Sequence, residues 1–213
     1  MAENFNFKKI EKNILKTAHQ HGFIDLIFGF LLLGMGFFPF FYESLPSPYK
    51  YFLWQLIVVF ISLVSTFYVT KYIIQPRTGV VKPGPSIKSI RKKLFILVSI
   101  QLLIELILLI LLFTGSGSGS KVSEMIFMLI TGLLFIPTFA IMGFLMKFPR
   151  LYLIGLLIWL ANFINALLYD SMDWVTRSLL SYGIIGAVIF LMGLALFIRF
   201  LKRYPLPKEE RTQ

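Results

Sequence analysis

Six apolar runs, each close to the length of a bilayer crossing, leave this chain few ways to fold. They cover about residues 23–41, 51–74, 94–114, 123–146, 151–169 and 178–200. A helix needs about 20 apolar residues to cross hydrocarbon. A helix also satisfies its own backbone there, which an open strand cannot do. The runs use most of the 213 residues, so no separate soluble domain fits. The expected fold is all-α: a polytopic transmembrane six-helix bundle over 22–200. An N-terminal amphipathic interfacial helix (1–21) precedes it and a basic tail (201–213) follows. Charged residues make up 15% of the chain, against about 25% in an ordinary soluble domain.

Basic residues orient the runs. The segment Lys71–Lys93 carries seven of them (71, 77, 82, 88, 91, 92, 93) and no acid. Such a loop resists transfer across a membrane. With it in the cytoplasm, six crossings put both termini there too. Of the 21 Lys and Arg residues, 18 then lie on the inner side and 3 (Lys50, Lys121, Arg177) on the outer. The expected location is the cell membrane, multi-pass. Tyr42, Tyr51, Trp54, Tyr169 and Trp174 fall at the outer boundary, where an aromatic belt belongs. Net charge is +11. Because the bases flank spanning segments, they do not read as a nucleic-acid surface.

Local signals refine the segments. Phe7, Ile10, Ile14 and Ala18 share a helical face with lysines around them, which fits an interfacial helix or a solvated cap. Gln55, Ser62, Thr66 and Thr70 form one stripe on the second span, expected to face other helices. Pro76, Gly79, Pro83, Gly84 and Pro85 argue against a continuous helix after residue 74. Gly115–Ser120 is a Gly-Ser tract with no chemistry of its own. Pro137 should kink the fourth span. Gly183, Gly186 and Gly193 lie on one face of the last span and allow close backbone packing.

Glu105 is the acid near the middle of a span, eleven residues into the third, or about 16 Å deep. No Lys or Arg lies in the interior of a span, away from its ends, so Glu105 needs neutral partners or water. Asn162 and Ser62 lie at similar depth, and Gln101 is one turn from Glu105. These four are expected to form a midplane polar cluster, serving as interhelical glue or as a proton or solute site. Asp25, near the cytoplasmic end of the first span, suits an anchoring ion pair with a loop base such as Arg77. His19 and His21 read as solvated residues, and no metal site is expected. Arg77, Lys82, Arg91, Lys92, Lys93 and Arg150 are the candidates for contact with lipid headgroups or a partner. There are no cysteines, so thiol chemistry is excluded.

The patches G-F-I-D-L-I-F-G-F at 22–30 and Q-P-R-T-G-V-V-K at 75–82 resemble a group of uncharacterised prokaryotic multi-spanning membrane proteins. Their pattern is roughly D-G-x-x-D-x-x-x-G at the first span and P-R-x-G-Y-V after the second. Asp25, Gly29, Pro76, Arg77 and Gly79 match it, while His21 and Val80 depart. The resemblance implies a bacterial or archaeal cytoplasmic membrane and brings no activity.

Three function classes remain. The first is a non-enzymatic membrane component or partner-binding scaffold. It would use the bilayer, anionic headgroups and a membrane or cytoplasmic protein, or a second copy, as partners. The second is a small proton-coupled transporter, dimeric, built on Glu105. The third is a membrane-embedded enzyme, for which paired acids, His clusters and an activated nucleophile are missing. No cofactor is expected.

Overall fold

The computed structural model describes residues 21–41, 50–78, 85–114 and 121–205. Among these there are helices and no strands. Helix α1 is Phe23–Phe41. Helix α2 comprises Lys50–Tyr68, a π-helical segment Val69–Ile74 and a last turn Gln75–Thr78. Helix α3 is Pro85–Thr114, α4 is Lys121–Met146 and α5 is Arg150–Leu167. Helix α6 comprises Trp174–Ser178, a π-helical segment Leu179–Gly183 and Ile184–Arg203. Most of the expected N-terminal helix, Lys82, the Gly-Ser tract and the end of the tail lie outside the described residues.

Among the described residues, five helical stretches are long and apolar enough to cross a membrane: Phe23–Phe41, Leu56–Thr78, Met125–Met146, Arg150–Leu167 and Trp174–Arg203. Their outward surface is greasy. Phe60 is 63% exposed and Phe67 67%. A water-soluble monomer rarely shows apolar patches on that scale; hydrocarbon is the solvent such faces suit.

Two antiparallel pairs form the centre. In the first, glycines bring α1 and α6 backbone to backbone. A Cβ on Gly29 would lie 2.4 Å from the Phe190 nitrogen, and one on Gly36 2.5 Å from the Gly183 nitrogen. From the other side, a Cβ on Gly186 would meet the Leu33 nitrogen at 2.7 Å, and one on Gly193 the Leu26 nitrogen at 2.6 Å. Gly22, at φ +72°, opens α1 in a conformation only glycine adopts freely, with Leu196 and Gly193 against it. Small residues give close van der Waals packing where lipid supplies no hydrophobic drive between helices.

The second pair is α4 with α5, joined by a link so tight that Lys147 takes φ 55°. Leu32, Phe139, Leu151, Ile154, Ile158, Ile185 and Ile189 form the core where the pairs meet. A smaller cluster of Phe23, Ile74 and Phe200 seats α2 at the end where α1 begins. Helix α2 packs on α1, and α3 packs on α4.

Two local expectations change. The helix does not stop at residue 74 but carries Pro76 within Gln75–Thr78. A regular turn would drive the proline ring into the carbonyl four residues back, and the wider π-helical segment comes directly before it. The last helix starts at Trp174, capped by Asp173, whose Oδ2 accepts from the Thr176 N–H at 3.0 Å. Arg177, expected in the outer connection before residue 178, therefore lies in the helix and is buried.

Candidate functional site

Among the described residues, the hydrogen bonds from one side chain to another fall in three places. The first is the end where α1 and α5 begin. Asp25 is fully buried and its Oδ2 accepts from Arg150 Nη1 at 3.1 Å. Gly193 makes room for it, since a Cβ there would lie 3.0 Å from that of Asp25. The guanidinium of Arg150 also lies 5.6 Å from the Phe148 ring. The ion pair thus ties α1 to α5, as an anchoring pair should, and one expectation is corrected. The partner of Asp25 is Arg150, not Arg77, and the Arg150 side chain stays 30% exposed. Asp25 Oδ1 is buried with no hydrogen-bond donor. His21 is also not solvated: its Nδ1 accepts from the Phe23 N–H at 3.1 Å, and its ring packs edge-on to Phe200.

The second place joins α3 to α4. Gln101 Nε2 donates to Glu105 Oε1 at 2.7 Å. The Thr138 hydroxyl lies 2.6 Å from Gln101 Oε1 and 3.0 Å from the Leu134 carbonyl, one proton between two acceptors. Leu94, Leu97, Gln101, Ile104, Glu105 and Leu108 are the more buried stripe of α3, so both polar groups lie on the face that packs on α4. Helix α4 continues through Pro137, with Thr138 directly after it.

The third place is a seam between α5 and α6. Tyr182 Oη donates to Asn162 Oδ1 at 3.1 Å, and Asn162 Nδ2 donates to the Ile158 carbonyl at 2.9 Å. A turn further along, Asn165 Nδ2 donates to Ser181 Oγ at 2.9 Å, and Ser181 Oγ donates to the Arg177 carbonyl at 2.7 Å.

The four residues expected at one midplane cluster therefore divide. Gln101 and Glu105 bond each other, Asn162 bonds Tyr182, and Ser62 donates to its own helix at the Val58 carbonyl at 2.8 Å. Thr66 likewise donates to the Ser62 carbonyl, so these two hydroxyls of the α2 stripe serve α2 itself. Thr138, Tyr182, Ser181 and Arg177 were not singled out from sequence. Isolated hydroxyls give no period to read, and Arg177 stood among other polar residues.

The basic residues concentrate at the end that holds Asp25. Lys88, Arg91, Lys92 and Lys93 are all exposed on the first turns of α3. Lys71 lies 5.6 Å and 5.2 Å from the Phe67 and Tyr72 rings, and Lys147 lies 4.2 Å from the Phe144 ring. Arg77 is half-buried and donates Nη1 to the Ile73 carbonyl at 2.8 Å. Among the described residues no three His, Cys, Asp or Glu side chains come together as metal ligands would. No protein-family profile matches the chain, and no curated protein or solved structure matches it either.

Proposed function

We propose that the protein is a non-enzymatic integral membrane component, a scaffold of six crossings. Its basic end faces the cytoplasm and holds anionic lipid headgroups or the acidic surface of a partner. One observation carries this reading: the polar groups inside the bundle bond mainly to one another and to nearby backbone carbonyls, while Lys88, Arg91, Lys92 and Lys93 stand exposed together. The interior reads as glue, and the chemistry on offer is a cationic rim. Each Lys or Arg near an anionic surface contributes about 1 kcal/mol. Lysine and aromatic side chains in contact suit the headgroup level, where an apolar stem stays in hydrocarbon and the charge reaches water.

Helix α3 is the sixth crossing in this reading. Its 30 residues are about 45 Å long at 1.5 Å per residue, enough to cross and still project its first turns. The test replaces Lys88, Arg91, Lys92 and Lys93 with Gln. Co-purification of anionic lipid should fall several-fold with the fold intact. Unchanged retention of both anionic lipid and co-purifying protein would end the proposal.

A second reading is a small proton-coupled transporter. Glu105 favours it, since it is half-buried on the packed face of α3. Proteoliposomes carrying Glu105→Gln decide between the two. Proton flux present in the wild type and lost in the variant would select transport.

A further inference from the structure

The end of the bundle away from the basic rim holds a buried cation. Arg177 is 8% exposed. Its Nη1 donates to the Tyr169 carbonyl at 3.2 Å, and its guanidinium lies 4.3 Å from the Tyr169 ring. Its Nε is buried and has no acceptor. Among the described residues no carboxylate pairs with it; Asp173, one turn back, caps the helix through Thr176. Asn165 is 2% exposed and is linked to the Arg177 backbone through the Ser181 hydroxyl. Its Oδ1 is buried and has no donor.

One cluster therefore holds an unfilled donor on a cation and an unfilled acceptor on a neutral amide. Buried groups of either kind are rarely left unmatched, and each specific case asks for an explanation. The π-helical segment Leu179–Gly183, which carries Ser181, starts two residues after Arg177, and such segments occur often at functional sites.

The ligand that completes both groups has an acceptor for Arg177 and a donor for Asn165. A bare anion answers only the first, and a bare cation only the second. The level is also informative. Trp174 meets Phe38 at 5.6 Å, and Phe41 stacks on Trp54 at 4.7 Å. Aromatic residues of this kind mark the membrane–water boundary, where headgroups sit. We propose that this cluster binds a phosphoethanolamine group, with the phosphate on Arg177 and the ammonium donating to Asn165 Oδ1. The group comes either on a phospholipid or on a soluble glycerophosphodiester.

The experiment uses the full chain, delipidated in detergent, with binding read by native mass spectrometry and thermal shift. The probes are an ethanolamine phospholipid, a choline phospholipid, glycerophosphoethanolamine and inorganic phosphate. The two lipids have the same net charge, so attraction to the basic rim treats them alike. Choline carries the phosphate but no N–H. The wild type should bind the ethanolamine lipid about ten-fold more tightly, the worth of one hydrogen bond to a charged group. Asn165→Leu should remove that preference while phosphate binding remains. Arg177→Gln should weaken both lipids, and Arg177→Lys should restore part of the loss. Binding of glycerophosphoethanolamine as tight as that of the lipid would identify the soluble source, and lipid binding alone the membrane source. Equal retention of the two lipids by the wild type would show that water fills the cluster and would overturn the proposal. That comparison needs no variant to fold.

Discussion

Asp25 and Arg150 are unequal partners, and the inequality makes their ion pair testable. The carboxylate is fully buried, whereas the Arg150 side chain is 30% exposed. Removing Arg150 strands a buried charge; removing the Asp25 charge leaves a cation that can turn to water. Loss of one partner of a buried pair costs about 3–5 kcal/mol, and the partial exposure of Arg150 places this case at the low end. Arg150→Gln should therefore destabilise the protein by about 3 kcal/mol and Asp25→Asn by about 1 kcal/mol, measured by denaturation in mixed micelles. The double variant should recover part of the Arg150→Gln loss. Asp173 sets a different dependence. The Thr176 N–H holds its carboxyl below the ordinary aspartate value. A lowered value adds stability above the unfolded pKa and loses it as pH falls through the folded one. Hydrogen exchange at the Thr176 amide should quicken relative to its neighbours on acidification below the usual aspartate range. Asp173→Asn, which caps without titrating, should remove that response.

At the scale of elements, the approach of α1 to α6 rests on glycines at Gly22, Gly29 and Gly36, seven residues apart, set against Gly183, Gly186 and Gly193. The glycines are not equivalent. A methyl on Gly29 would collide with Phe190 backbone, which cannot move without parting the helices, while one on Gly183 meets only the Leu179 side chain at 3.1 Å. Overpacking costs about 1–3 kcal/mol, and replacing glycine by alanine within a helix returns about 1 kcal/mol. Gly29→Ala should thus be destabilising, and Gly183→Ala neutral or mildly stabilising, in the same unfolding assay. The α6 half of this contact was readable as spacing in the sequence, and the seven-residue repeat in α1 was equally there to be read. The two π-helical segments were not. An added residue in a turn depends on which carbonyls find partners, and that is settled only once neighbouring helices are in place. The α2 hydroxyls show the same limit. Their stripe was regular, yet Ser62 and Thr66 could satisfy themselves on their own helix, so their alignment did not identify a neighbour.

The whole molecule was the easiest level to read and the hardest to complete. Blocks of apolar residues separated by charge dictate helices of spanning length, because a backbone in hydrocarbon has no other way to satisfy its polar groups. Which helix touches which is another matter. Nearly every face is apolar and lipid tails welcome them all, so pattern alone did not place α2 beside α1 or α3 beside α4. The polar residues were weak guides: Glu105 accepts from Gln101, which in turn accepts from Thr138, and the link does not run across the bundle to Asn162. The number and direction of crossings can be measured directly, helped by the absence of native cysteine. Ser89, Ser171 and Lys202 are all exposed and lie in separate connections or ends. With α3 as a sixth crossing, Ser89→Cys and Lys202→Cys should react with a membrane-impermeant maleimide from the same side, and Ser171→Cys from the other. If α3 instead lies along the surface, the crossings between residues 89 and 202 become odd in number. The first two labels would then part company, and the basic rim would lose the single side on which its lipid contacts depend.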